Sequence, residues 1–234
     1  MKYSVVQLKT MFLLVMLFSV AGVLVIGCAP ATNPEPRYNE RTLSEWLVEY
    51  EAGEVSGGTR DTNAITAICT IGSNAAPFLV KWINVADYTP TERVRDLIGF
   101  GLGHPYTPPR LARANRAMRA FQLLGTNAAP AIPDLTKIIL EDKRYEAGID
   151  AREALVYIGP PGVIALSMLA TNRSTPHRFE TITTLGLSAE TGPRDMAKPY
   201  LTNCLSDPDP QVRYGAGCAL AEIAREDESR AKVK

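Results

Sequence analysis

The sequence predicts an all-α chain, an α-solenoid of about five helix pairs, and three observations carry that prediction. Residues 201–224 read as one helix ending at Leu205, a turn through Ser206-Asp207-Pro208-Asp209-Pro210, and a second helix from Gln211. Asp-Pro punctuates turns, and Pro suits a first helical turn because its missing N–H has no partner there. In the second helix Val212, Ala216, Ala219, Leu220 and Ile223 form one apolar stripe that a lone helix pair cannot bury. Copies are therefore required, and they are present. Ala64 to Pro77 aligns without gaps to Ala117 to Pro130, including Gly72-Ser73-Asn74-Ala75-Ala76-Pro77 against Gly125-Thr126-Asn127-Ala128-Ala129-Pro130. The frame recurs at Ala151–Gly159, Arg178–Gly186 and Ala216–Ala224, so anchors 72, 125, 159, 186 and 224 lie 53, 34, 27 and 38 residues apart. Such intervals bracket the helix-pair repeat of a solenoid.

In chain order, residues 1–28 read as a targeting segment. Lys2 and Lys9 precede an uncharged, mostly apolar run from Met11 to Ile26, closed by Val25-Ile26-Gly27-Cys28. The run suits a lipidated Cys28, an uncleaved membrane anchor, or an ordinary signal sequence. A polar, Pro-rich linker follows over 29–41. Thr42 and Glu45 have the spacing of a capping box, and Leu43, Trp46, Leu47 and Tyr50 share a helix face, so 42–60 reads as a capping helix and loop. The repeat domain spans 61–224, and 225–234 is a charged tail.

The longest interval holds an insertion, Asp87 to Arg110, with four Pro, three Gly and His104. It is a binding edge or a tolerated surface loop, with a short helix expected over Arg93 to Leu102. The next helix carries Arg113, Arg116 and Arg119 opposite a face of Leu111, Ala114, Ala117, Met118, Phe121 and Leu124. These arginines are candidates for binding an anionic partner, or belong to a solvated face.

The Leu-ended helix, Asp207, then Val212-Arg213 and the small apolar positions Ala216 and Ala219-Leu220 resemble a HEAT repeat. The phrase of Ile or Leu, Gly, two residues, Ala, any residue and Pro adds to that resemblance, as does a likeness to the PBS lyase-type repeats of bilin lyases. The resemblance implies that Asp207 and Arg213 form a structural ladder along the turns, and that second helices line the concave, partner-binding surface. Val25-Ile26-Gly27-Cys28 resembles a bacterial lipobox, which implies lipidation at Cys28 and a place at the cell envelope.

Composition narrows the function. The full chain carries 25 basic and 25 acidic residues, and beyond residue 28 the balance is 23 to 25, a near-neutral body unlike a nucleic-acid binder. His104 and His177 belong to no His-Glu pair, unlike the di-iron motifs of the deoxyhypusine hydroxylases, also built on such repeats. Zinc spacings, glycine-rich phosphate loops and nucleophile elbows are not found, so no metal and no cofactor are expected. Cys69, Cys204 and Cys218 fall at helical positions expected to be buried. The reading is a protein that is not an enzyme: a non-catalytic, membrane-tethered scaffold for a protein or peptide partner. The alternatives are a lyase-like or hydroxylase-like repeat enzyme, which would need a convergent polar pocket that no cluster in the sequence predicts, and a nucleic-acid-binding repeat protein.

Overall fold

The computed structural model describes residues 34–55, 62–85, 88–104, 106–186 and 194–233. The apolar N-terminal run and Cys28 lie outside the described residues. The core described below lies in the unit from Pro36 onward.

It begins with a small antiparallel hairpin, β1 (Arg37–Tyr38) and β2 (Arg41–Thr42), where the sequence suggested only linker. Asn39 and Glu40 make its turn at positive φ. The hairpin is held to α1 (Leu43–Val55) because Trp46 Nε1 donates to the Tyr38 carbonyl at 3.1 Å. The capping box forms as its spacing requires: Thr42 N donates to Glu45 Oε2 at 2.6 Å, and Glu45 N to Thr42 Oγ1 at 3.3 Å.

Ten further helices follow among the described residues. These are α2 (Thr62–Ile71), α3 (Ala76–Ile83), α4 (Pro90–Gly101), α5 (Pro109–Leu124) and α6 (Ile132–Glu141). The remainder are α7 (Tyr145–Ile158), α8 (Pro160–Thr171), α9 (Arg178–Gly186), α10 (Arg194–Cys204) and α11 (Pro210–Val233). They pair as α1/α2, α3/α5, α6/α7, α8/α9 and α10/α11, with α4 inserted in the second pair. The helix expected only as a cap is thus the first member of a pair. Second helices stack in sequence as α2, α5, α7, α9 and α11, while α6, α8 and α10 stack as first helices. The fold is an all-α helical solenoid.

Small residues set this stacking. Ala64, Ala67, Ala117, Ala120, Ala151, Ala154, Ala216 and Ala219 are buried between Ile68, Phe121, Leu155, Ile182 and Ile223, in one continuous core. Alanines on both sides of a contact let helix axes approach closely. The stretch Thr62–Ile83 is apolar and long enough to cross a membrane, but 44% of it is buried in this core, as befits a core element.

The repeat anchors Gly72, Gly125 and Gly159 end α2, α5 and α7 at φ of +57°, +51° and +86°. Gly125 combines that φ with ψ of −128°, a conformation open to Gly almost alone. The Ala-Ala-Pro segments then lead into the following first helices through 3₁₀ turns over Gly72–Ala75 and Gly125–Ala131.

Two further features differ from the sequence reading. Cys204 is buried, but Cys69 and Cys218 are exposed, each on the side of its helix away from the buried stripe, and all three are free thiols. The charged stretch from Arg225, expected as a tail, continues α11 to Val233. It is tied down by Lys198, whose Nζ meets Asp195 at 2.8 Å and Asp227 at 2.9 Å.

Candidate functional site

The turns between paired helices are held by arginines at the starts of second helices. Arg110, Arg144, Arg178 and Arg213 lie 34, 34 and 35 residues apart. Arg144 Nη1 donates to Asn84 Oδ1 at 2.7 Å, across the neighbouring turn. Arg213 Nη1 donates to the carbonyls of Asp207 (2.7 Å) and Pro208 (2.9 Å). The Asp207 carboxylate instead receives Arg178 in a two-pronged contact, Nη2–Oδ2 2.6 Å and Nη1–Oδ1 3.3 Å, with both side chains 90% buried. Arg178 Nε also donates to the Ala170 carbonyl at 3.0 Å. The Asp207 carboxyl is therefore held below the usual carboxylate range, chiefly by the Arg178 guanidinium. These contacts join units α8/α9 and α10/α11.

A cavity of about 770 Å³ opens beside this edge, lined by Arg173, Thr175, His177, Phe179, Asp209 and Tyr214 among others. Several of its polar groups are committed to the fold: Arg178 to Asp207, His177 Nε2 to Asp142 at 3.2 Å, and Asp209 Oδ1 to the Gln211 N–H at 2.9 Å. Its charges serve the turns.

A groove formed by α1 and the second helices α5 and α7 is different. A cavity of about 400 Å³ lies over α1, α5 and α7, lined by Glu51, Asn115, Arg116, Arg119, Asp150 and Glu153, with Leu47, Tyr50 and Met118 at its floor and sides. Asp150 and Glu153 sit one turn apart on α7, so both carboxyls share one helix face. Burial pushes the Asp150 carboxyl up to about 6, reinforced by the negative charges of Glu153 and Glu146. Burial likewise raises Glu153. Opposite them, Arg116 Nε bonds Glu51 Oε2 at 2.6 Å, tying α5 to α1.

The three arginines singled out by sequence therefore part company. Arg116 and Arg119 line the groove. Arg113 is exposed on another side of α5, its guanidinium 5.8 Å from the Trp82 ring centroid on α3. Asp150 and Glu153 were missed because two acids on a helix resemble an ordinary solvated face; only the neighbours α1 and α5 make that face a cavity.

A raised carboxyl at a cavity has a consequence for stability. Asp150 binds a proton in the folded chain between about pH 4 and 6, where the unfolded chain does not. The penalty of the buried carboxylate therefore builds up as pH rises from about 4 to about 6 and is fully present above that. Asp150→Asn is expected to stabilise the chain by about 1 kcal/mol at pH 7, discounted for partial exposure, and by nothing below about pH 4. Urea denaturation at the two pH values measures this.

Elsewhere on α7, Arg152 is 99% buried. Its Nε donates to Thr181 Oγ1 on α9 at 3.0 Å, while Nη1 has no hydrogen-bond partner. Burial pulls its guanidinium below the ordinary arginine value. Among the described residues no group of three His, Cys, Asp or Glu side chains is placed to hold a metal ion.

No protein-family model matches the chain, and no curated protein matches it. Among solved structures it is similar to the complex of CpcE and CpcF of phycocyanin lyase from Nostoc sp. PCC7120. The identity is 17% over 84% of this chain and 71% of that one, with a TM-score of 0.34. The chain is a helical-repeat protein. The expectation that it is not an enzyme is corrected and not carried forward. The groove, moreover, supplies the convergent polar pocket whose lack supported that expectation. At this TM-score the likeness assigns no reaction to the chain.

Proposed function

We propose that this chain is a membrane-tethered helical-repeat protein that binds a protein or peptide partner at the cell envelope through the groove over α1, α5 and α7. The observation that carries this reading is the meeting of Arg116 and Arg119 with Asp150 and Glu153 around one cavity. Such a lining fits a partner segment that presents charges of both signs. Partial burial makes each of its charge contacts stronger than on an open surface. Asp150, with its carboxyl near 6, makes recognition pH-dependent: the groove gains negative charge as pH rises through that value. Support for the tether comes from Lys2, Lys9, the apolar run over 11–26, and Cys28.

The test is a pull-down from detergent-solubilised membranes with the full chain, an Arg119→Glu variant, and a Lys137→Glu control on the exposed face of α6. Recovery of the partner is expected to fall about tenfold or more with Arg119→Glu and to stay level with Lys137→Glu. Equal recovery by all three would reject the groove. A parallel Cys28→Ala variant tests the tether by intact mass, since only the wild type should gain a lipid.

One observation favours a second reading, catalysis in the same groove. A carboxyl near 6 in a cavity that Arg116 and Arg119 also line is suited to give or take a proton near neutral pH. A small molecule that co-purifies with the wild type and is lost with Asp150→Asn would favour it over partner binding.

A further inference from the structure

The insertion in the second pair is built as an amphipathic helix with no partner for its apolar face. Helix α4 starts from a complete capping box: Thr89 Oγ1 accepts from Glu92 N at 3.3 Å, and Glu92 Oε2 accepts from Thr89 N at 2.9 Å. None of its residues is buried. At about 100° per residue, Val94, Leu97, Ile98 and Gly101 share one side, and Phe100 and Leu102 widen it to roughly half the circumference. Leu97, Phe100 and Leu102 are 72%, 75% and 73% exposed. A single exposed Leu needs no explanation, but a contiguous apolar face of this kind does.

The polar residues of α4 are sorted by sign. Its acids are engaged by the protein, and Asp96 shares a cavity of about 550 Å³ with Arg93, Leu97, Phe100 and Glu146 of α7. Glu92 is clasped by Arg110, at 2.6 and 2.7 Å, and its carboxyl is thereby lowered to about 2. Asp96 Oδ1 accepts from Tyr106 N at 3.0 Å. Gly99 lets the return strand come so close that a Cβ there would stand 2.3 Å from the His104 carbonyl oxygen. Its two arginines, Arg93 and Arg95, fall at the two edges of the apolar arc, one on each side. The Arg95 guanidinium lies 4.1 Å from the centroid of the Tyr106 ring.

The geometry points to α4 as an interfacial helix that lies on an anionic lipid surface. Its apolar arc would enter the acyl boundary while Arg93 and Arg95 reach phosphates at its two edges. An apolar face bordered by cations, with the helix's own acids engaged by Arg110 and the Tyr106 N–H, is an arrangement that suits a negatively charged bilayer surface. A protein groove would demand a matching set of pockets; a bilayer demands only this segregation. The inference stands on α4 alone and does not need the N-terminal tether.

The test places the photo-crosslinker p-benzoylphenylalanine at Phe100 or, as a control, at the exposed Tyr214 of α11, in the full chain. Vesicles of phosphatidylglycerol and phosphatidylcholine in equal parts are compared with pure phosphatidylcholine. A lipid adduct at position 100 is expected, stronger on the anionic vesicles, severalfold weaker at 214, and severalfold reduced by Arg93→Gln with Arg95→Gln. No lipid adduct, equal adducts at 100 and 214, or crosslinking of position 100 to a second copy or another polypeptide overturns the inference. Vesicle sedimentation separates it from the tether. Sedimentation with equal adducts leaves the tether standing without the α4 contact. Release of the double-Gln variant, with an adduct at 100 in the wild type, leaves α4 standing without the tether.

Discussion

Gly162→Ala is expected to cost at least about 3 kcal/mol and to lower the melting temperature by about 10 °C, if the chain folds at all. Gly162 lies in the first turn of α8, where that helix doubles back over the end of α7. A Cβ at this position would stand 1.9 Å from the Leu155 carbonyl oxygen and 2.8 Å from its carbonyl carbon. Overpacking usually costs about 1–3 kcal/mol because side chains can rotate away. Here the obstacle is backbone held within a helix, so relief requires α7 and α8 to separate. Those helices bury Leu155, Ile158, Val163 and Leu166 between them and their neighbours. Separation would therefore also open the core. Thermal melts followed by circular dichroism, beside Gly101→Ala, where an added Cβ meets nothing within 4 Å, distinguish this close approach from a general cost of losing glycine.

Asp207→Ala is the second large effect, expected at about 2–4 kcal/mol. The substitution leaves Arg178 with its bond to the Ala170 carbonyl but without its carboxylate, in a setting where both side chains are 90% buried. It also removes the acceptor for the Asp209 N–H, bonded at 2.9 Å, which shapes the turn into α11. The pH dependence has a definite sign. The Asp207 carboxyl is lowered in the folded chain, so the pair stabilises above the ordinary Asp value near 4 and is lost as pH falls through the lowered value. Asp207→Ala should therefore be markedly less stable at pH 7 and should narrow its deficit in acid. A deficit that is constant from pH 7 to pH 2 would show that the turn, and not the ion pair, carries the effect.

Much of the architecture was legible because it rests on local rules. Thr42 and Glu45 announce their capping box three residues apart, and the glycines at 72, 125 and 159 end helices at positive φ, as their place after an apolar stripe requires. The turn over 206–210 likewise reads directly from its Asp-Pro pairs. What sequence spacing does not show is the company a helix keeps. Arg152 sits in α7 at a spacing that suits a core residue, yet its charge argues for solvent; the structure buries it against Thr181 of α9. Cys69 and Cys218 show the reverse, apolar residues at positions that neighbours leave open.

The groove was illegible for the same reason. Arg116 and Arg119 were visible as a charge run, but Arg113 looked equivalent to them until Trp82 of α3 placed it elsewhere. Asp150 and Glu153 acquire their raised carboxyls chiefly from burial, in a cavity that α5 and α1 help to form. A site spread over three helices separated by up to 100 residues leaves no local pattern.

Carboxyl footprinting of the full chain, alone and in complex with the partner recovered from membranes, tests the central claim most directly. If the groove over α1, α5 and α7 is the binding surface, labelling of Glu51, Asp150 and Glu153 falls on binding, while Asp134 and Glu141 on α6 keep theirs. Unchanged labelling in the groove, with protection appearing on α6 instead, would contradict the account.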